Sequence, residues 1–144
     1  NDLKKTKDVL VLLAGWRRTY VINELEKINV PYIYNELVDP DVLNEMYNCL
    51  DLYIVSSRVE GGPRSIMECG LTRTPIISTD VGIAQMILNK KSIYDVNNYV
   101  TYSDAVVDID LAFENTNKYI TPIYMKTFIN NIFLFCKSHS RNFY

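Results

Sequence analysis

Four short apolar segments, each followed by a polar or glycine-containing turn, restrict this chain to few architectures. VLVLLAG (Val9–Gly15) is short, branched and closed by glycine, which suits a strand buried on both faces. From Arg17 to about Asn29 the apolar residues Val21, Ile22, Leu25 and Ile28 have helical spacing. Pro31 ends that segment, and PYIYNEL (Pro31–Leu37) reads as a second strand. Asp39-Pro40-Asp41 starts a short helix with an acidic cap and an apolar face of Val42, Leu43, Met46, Tyr47 and Leu50. DLYIVSS (Asp51–Ser57) is a third strand, and a loop with Glu60, Gly61 and Gly62 leads to a helix from about Pro63 to Arg73. PIISTD (Pro75–Asp80) is a fourth strand, and Val81-Gly82 turns the chain into a short helix from Ile83 to Leu88. Strands alternating with helices across short connections predict an α/β fold with a parallel sheet and helices on both faces.

Beyond Asn89 the pattern weakens. Asn97-Asn98 marks a turn, a short strand is expected near Tyr99–Tyr102, and Ser103-Asp104 is expected to cap a helix to about Phe113. Thr121–Lys137 places Met125, Phe128, Ile129, Ile132, Phe133 and Cys136 at helical spacing, an aromatic stripe suited to core packing. The expected organisation is one domain over residues 1–144, with a tail over about 1–8 and C-terminal helices over about 103–144.

Composition excludes several classes of function. A 48% hydrophobic and 22% charged chain can bury a core. A net charge of -2 gives no bulk attraction for nucleic acid, and the cluster Lys4, Lys5, Lys7 reads as a solvated tail. Cys49, Cys69 and Cys136 are odd in number and lack metal-ligand spacing, so they read as reduced core or near-core thiols in a cytoplasmic protein. The lone His139 supports neither a zinc site nor a Ser-His-Asp triad. No segment suits a transmembrane helix or a signal peptide. The chain opens without methionine, and the expectation is a piece of a longer enzyme.

The chemistry concentrates in DLYIVSSRVEGGPRSIMECGLTRTPIISTDVG (Asp51–Gly82). A parallel strand ending near Ser57 delivers its loop to the sheet edge where doubly wound folds bind ligands. Gly61 and Gly62 are expected to let the backbone turn sharply and a ligand come close. Pro63 fits the first helical position. The free N–H groups around Gly62, Arg64 and Ser65 then lie at a positive helix end that favours a phosphate. Arg64 opposes that dipole, and a bound anion would remove the conflict. Glu68, a turn inside the helix, can accept from two adjacent hydroxyls such as those of a ribose, and Glu60 can accept from hydroxyls of a sugar beyond a diphosphate.

The spacing E-x7-E from Glu60 to Glu68, set in SRVEGGPRSIMECG and followed by TPIISTDVG, resembles the C-terminal, donor-binding domain of retaining glycosyltransferases of family 4. The resemblance is strong over Asp51–Gly82, fair from Val9 to Leu50 and weak after Asn89. It implies a Rossmann-like half of a GT-B fold, here without its first strand, and a hexosyltransferase-like reaction. A sugar would pass from a nucleoside-diphosphate sugar to a hydroxyl acceptor with retained configuration. It further implies that Gly61, Gly62, Pro63, Arg64 and Ser65 hold the diphosphate, that Glu68 holds the ribose, and that Glu60 is the catalytic residue nearest the donor sugar. Gly15 and Asn35 are candidate contacts on the side of the base, and Arg17 and Arg58 are the other candidate cations for the phosphates. No cofactor or metal is expected. The acceptor, a carbohydrate or a lipid-linked molecule, would be held by a missing N-terminal domain, so the 144-residue piece alone is expected to transfer little. The sequence departs from the family pattern at Ile83, where a second glycine usually follows Asp-Val-Gly, and at Met86, where a glutamate often stands. The family's Gly-Arg…Lys element does not precede Val9. A non-catalytic binding module on the same fold, and a sugar-nucleotide epimerase with a related fold, remain the alternative readings.

Overall fold

Parallel strand pairing organises both halves of the chain. The computed structural model describes residues 8–95, 97 and 104–120. The expected strand near Tyr99–Tyr102, the segment Thr121–Lys137, His139 and the Lys4–Lys7 cluster lie outside them. The chain divides into two compact units, Asn1–Cys49 and Leu50–Tyr144. Strands alternate with helices throughout the described part, a Rossmann-like α/β architecture with parallel sheets flanked by helices.

In the first unit, β1 (Val11–Ala14) pairs in parallel with β2 (Tyr32–Asn35), with Val11 opposite Tyr32 and Ala14 opposite Asn35. Helix α1 (Thr19–Lys27) connects them. The turn out of α1 is a Schellman-type exit: Val30 donates to the Leu25 carbonyl at 2.9 Å and Asn29 to that of Glu26 at 3.0 Å. Asn29 takes the left-handed conformation this exit needs, with φ 54°. Helix α2 (Pro40–Asn48) opens with Pro40 in its first turn. Asp39 precedes it in extended conformation, but its side chain makes no capping hydrogen bond, so the expected acidic cap acts through backbone geometry alone. β1 differs from expectation too. Its four residues are half-buried rather than enclosed on both faces. Cys49 is exposed, against the expectation of a core or near-core thiol.

The second unit holds the more deeply buried core. β3 (Tyr53–Val55), β4 (Ile76–Thr79) and β5 (Ile93–Tyr94) form a parallel sheet in the order β3-β4-β5. All four β4 residues are buried, as a central parallel strand requires. Helix α3 (Arg64–Thr72) joins β3 to β4, and the short α4 (Ala84–Ile87) and a 3-10 turn (Lys90–Ser92) join β4 to β5. Ile66 and Cys69 of α3, Ile76 and Ile77 of β4, and Ala84 and Ile87 of α4 supply the apolar core.

Helix α5 (Ile109–Ile120) packs against α3 and α4. It starts well after the expected Ser103-Asp104 cap. Asp108 caps it instead: its carboxylate accepts the Leu111 N–H at 3.1 Å, and its carbonyl accepts the Ala112 N–H at 3.2 Å. Asn89 donates to the same carboxylate at 2.8 Å, fixing the α5 entry to the end of α4. Thr116 of α5 sits over Gly70 of α3. A β-carbon on Gly70 would fall 3.1 Å from the Ala112 carbonyl and 3.0 Å from the Thr116 β-carbon, so only glycine permits this approach.

The C-terminal end of α3 is tied to the same helix. Thr74 donates to the Cys69 carbonyl at 2.9 Å and Arg73 to the Gly70 carbonyl at 3.4 Å, again a Schellman-type exit. Arg73 adopts φ 55°, a conformation costly for an arginine. Its guanidinium donates to Asp110 at 2.7 Å and lies 3.9 Å from the Phe113 ring centre. Contacts to two α5 residues thus offset local backbone strain.

Two outcomes follow from this packing. Gly70→Leu is expected to destabilise the fold by about 1–3 kcal/mol through overpacking, measured by urea unfolding. The hydrogen bond from Asn89, followed by that from Leu111, holds the Asp108 carboxyl below the ordinary carboxylate range. Its stabilisation is therefore complete above the unfolded value near about 3.9 and is lost as pH falls through the lower folded value. Asp108→Asn is expected to make the acid decline of the unfolding midpoint shallower.

Candidate functional site

In a parallel sheet the C-terminal ends of neighbouring strands share one edge, and the following loops gather there. Here the loop after β3, residues 56–63, meets the loop after β4, residues 80–83. The buried Thr79 hydroxyl donates to the Ser57 carbonyl at 2.6 Å, joining the two loops at their base. The Tyr94 hydroxyl donates to the Val55 carbonyl at 2.7 Å, linking β5 to the end of β3.

The two loops also touch at their tips. Gly82 has φ 52°, and a β-carbon there would lie 2.8 Å from the Gly62 α-carbon and 2.9 Å from the proline ring of Pro63. This close approach demands glycine at 82. Of Gly61 and Gly62, expected to let the backbone turn sharply, Gly61 lies in a bend. Neither has the positive φ that requires glycine, and the conformational demand falls on Gly82. A β-carbon on Gly61 would meet nothing within 4 Å, so Gly61 faces open space. The Ile83 side chain lies against Gly62, with its γ2-methyl 3.9 Å from a β-carbon position there.

Pro63 precedes α3 as its N-cap, with φ -64° and ψ 117°, rather than taking the first helical position expected for it, which Arg64 occupies. Its extended ψ leaves its carbonyl to accept the Ile66 N–H at 3.1 Å. The N–H groups of Arg64 and Ser65 come before that first bond, so no carbonyl within the helix takes them. They lie at the positive end of a nine-residue helix. Arg64 is exposed and makes no ion pair among the described residues. Arg58 is likewise exposed.

Glu60 is exposed on the loop, and one of its carboxylate oxygens accepts a hydrogen bond from the Ser57 hydroxyl. Glu68 is half-buried in the second turn of α3. Glu60, Gly61, Gly62, Pro63, Arg64, Ser65 and Glu68 therefore all belong to one loop-and-helix segment of the second unit. Gly15, Arg17 and Asn35 belong to the first unit, at the C-terminal ends of β1 and β2. There the Gly15 N–H donates to the Asn35 carbonyl at 3.1 Å. Gly15 and Arg17 both have positive φ, 89° and 61°, so the turn after β1 is tight. Arg18 closes it by donating to the Ala14 carbonyl at 2.9 Å.

Sequence reasoning passed over Ser57 and Thr79. A signal existed for each: Ser57 stands three residues before Glu60, and Ser78-Thr79 is a polar pair in an apolar strand. Buried hydroxyls in such a strand call for partners. Cys69, next to Glu68, is fully buried. Burial, and secondarily the Glu68 charge, push its thiol up to about 12, so it is not a nucleophile. An alkylating reagent at neutral pH is expected to label exposed Cys49 in the native protein and to leave Cys69 unlabelled until denaturant is added, read by peptide mass mapping.

The family described as glycosyl transferases group 1 matches residues 1–122 of the chain. Comparison with curated proteins returned no match. Among the described residues no helix is long and apolar enough to cross a membrane. With the match running through 122 of 144 residues, this chain belongs to the glycosyl transferases group 1 family, which makes glycosyl transfer its class of function.

Proposed function

We propose that the second unit binds the donor of a retaining, family-4-like glycosyltransferase, a nucleoside-diphosphate sugar, and that the full protein transfers the sugar to a hydroxyl acceptor. The observation that carries this reading is the α3 entrance, where the Arg64 and Ser65 amides have no carbonyl partner within the helix, the Arg64 side chain makes no ion pair among the described residues, and two carboxylates eight residues apart lie on one segment. In this reading the diphosphate sits at the helix start, where amides and dipole stabilise negative charge as the leaving group departs. Glu68, one turn further in, accepts from the ribose hydroxyls, and Glu60 accepts from the donor sugar. The open space beside Gly61 is consistent with a ligand approaching the loop backbone.

The chemistry asked of these residues is electrostatic. The acceptor oxygen forms a bond to the anomeric carbon as the bond to the diphosphate breaks, and the acceptor proton leaves to solvent or to the departing phosphate. Positive potential at α3 is worth more to the leaving diphosphate, which gains negative charge as the bond breaks, than to the intact donor, so it lowers the barrier rather than only tightening binding. A nucleotide-binding module without transfer is the second reading. Ile83 favours it, because its methyl group covers part of Gly62 beside the proposed diphosphate position.

Titration calorimetry with UDP, GDP and ADP tests the proposal. One nucleotide is expected to bind, and Glu68→Ala is expected to weaken it by about tenfold, the loss of charge-assisted hydrogen bonds to hydroxyls. Absence of binding to all three at millimolar concentration, in the full-length protein, counts against it.

A further inference from the structure

We infer that Ser57 is a positioning residue for Glu60, held in place by the buried hydroxyl of Thr79. The inference rests on the donor-binding reading above and adds to it the device that aims the carboxylate at the donor sugar.

Three linked observations carry it. Thr79 is fully buried at the end of β4 and donates to the Ser57 carbonyl at 2.6 Å. Ser57 is half-buried and donates from its hydroxyl to the Glu60 carboxylate. Glu60 itself is exposed on the loop. An exposed glutamate ordinarily samples several rotamers, and a ligand that fixes it must overcome that entropy. The Ser57 hydroxyl restricts that sampling before a ligand arrives. Ser57 can do this because its own backbone is clamped to the central strand through Thr79, not through the solvent-facing loop. The hydroxyl occupies one carboxylate oxygen of Glu60 and leaves the other available to accept from a ligand hydroxyl. The relay runs from the sheet core to the loop, Thr79 to Ser57 to Glu60, and does not pass through α3. The backbone clamp from Thr79 serves the whole loop, whereas the Ser57 hydroxyl bonds Glu60, so the hydroxyl acts on the sugar end of the donor and not on the diphosphate.

The experiment compares two affinities in the full-length protein that carries this chain. The probes are UDP, GDP and ADP, and the matching sugars UDP-glucose, GDP-mannose and ADP-glucose. For the nucleotide that binds, Ser57→Ala is expected to weaken the nucleotide sugar about tenfold and the bare diphosphate less than twofold. Ser57→Thr, which keeps the hydroxyl, is expected to restore the sugar-bearing donor. A merely structural role would weaken both ligands together and would lower the thermal midpoint. Equal loss for both ligands, no loss for either, or failure of threonine to restore binding overturns the inference while leaving the donor-binding reading intact. If no diphosphate binds the unsubstituted protein, the donor-binding reading fails and the positioning role falls with it.

Discussion

The hydrogen bond from the buried Thr79 hydroxyl to the Ser57 carbonyl fixes where the β3 loop leaves the sheet, and the geometry of the α3 entrance follows from it. Without that clamp the eight-residue run from 56 to 63 would be held only at its ends. With it, the loop starts from a set position at the core. It then meets the Val81-Gly82 turn, where the backbones approach so closely that a side chain on Gly82 would collide with Gly62 and Pro63. Two loops from adjacent strands thereby brace each other. An exposed functional loop on a rigid base is the arrangement expected where binding residues must be mobile enough to admit a ligand and ordered enough to orient it.

The far end of α3 is held just as firmly. Gly70 lets α5 pack against its backbone, and Arg73 accepts a left-handed conformation while binding Asp110 and Phe113 of that helix. The helix is thus anchored at its C-terminus by tertiary contacts and offers its N-terminus at the sheet edge. An anion at that N-terminus would meet a dipole that cannot swing away. Under the proposed donor-binding reading this matters, because electrostatic stabilisation is largest when its dipoles are already oriented.

Much of the fold was legible from single segments. The runs around Val11, Tyr32, Tyr53 and Ile76 are strands because short branched apolar runs between turn residues suit parallel pairing. The errors share a cause. β5 is two residues long and has no period to read; it exists because Ser78 and Thr79 offer Ile93 and Tyr94 a partner. The start of α5 depends on Asn89 reaching Asp108 across nineteen residues. Gly61 and Gly62 drew attention as the turn-makers, whereas the strained glycine is Gly82, whose constraint comes from a loop twenty residues earlier.

The sequence by itself determined the alternation of strands and helices, because periodicity and turn chemistry are properties of neighbouring residues. It also determined the set of chemical groups between Glu60 and Glu68 and the resemblance they carry. The tertiary structure alone decided which hydroxyl holds Glu60, which glycines are obligatory, and where Cys49 and Cys69 stand relative to solvent. Those outcomes depend on residues far apart in the chain being brought within a few ångströms, and no local pattern encodes such distances.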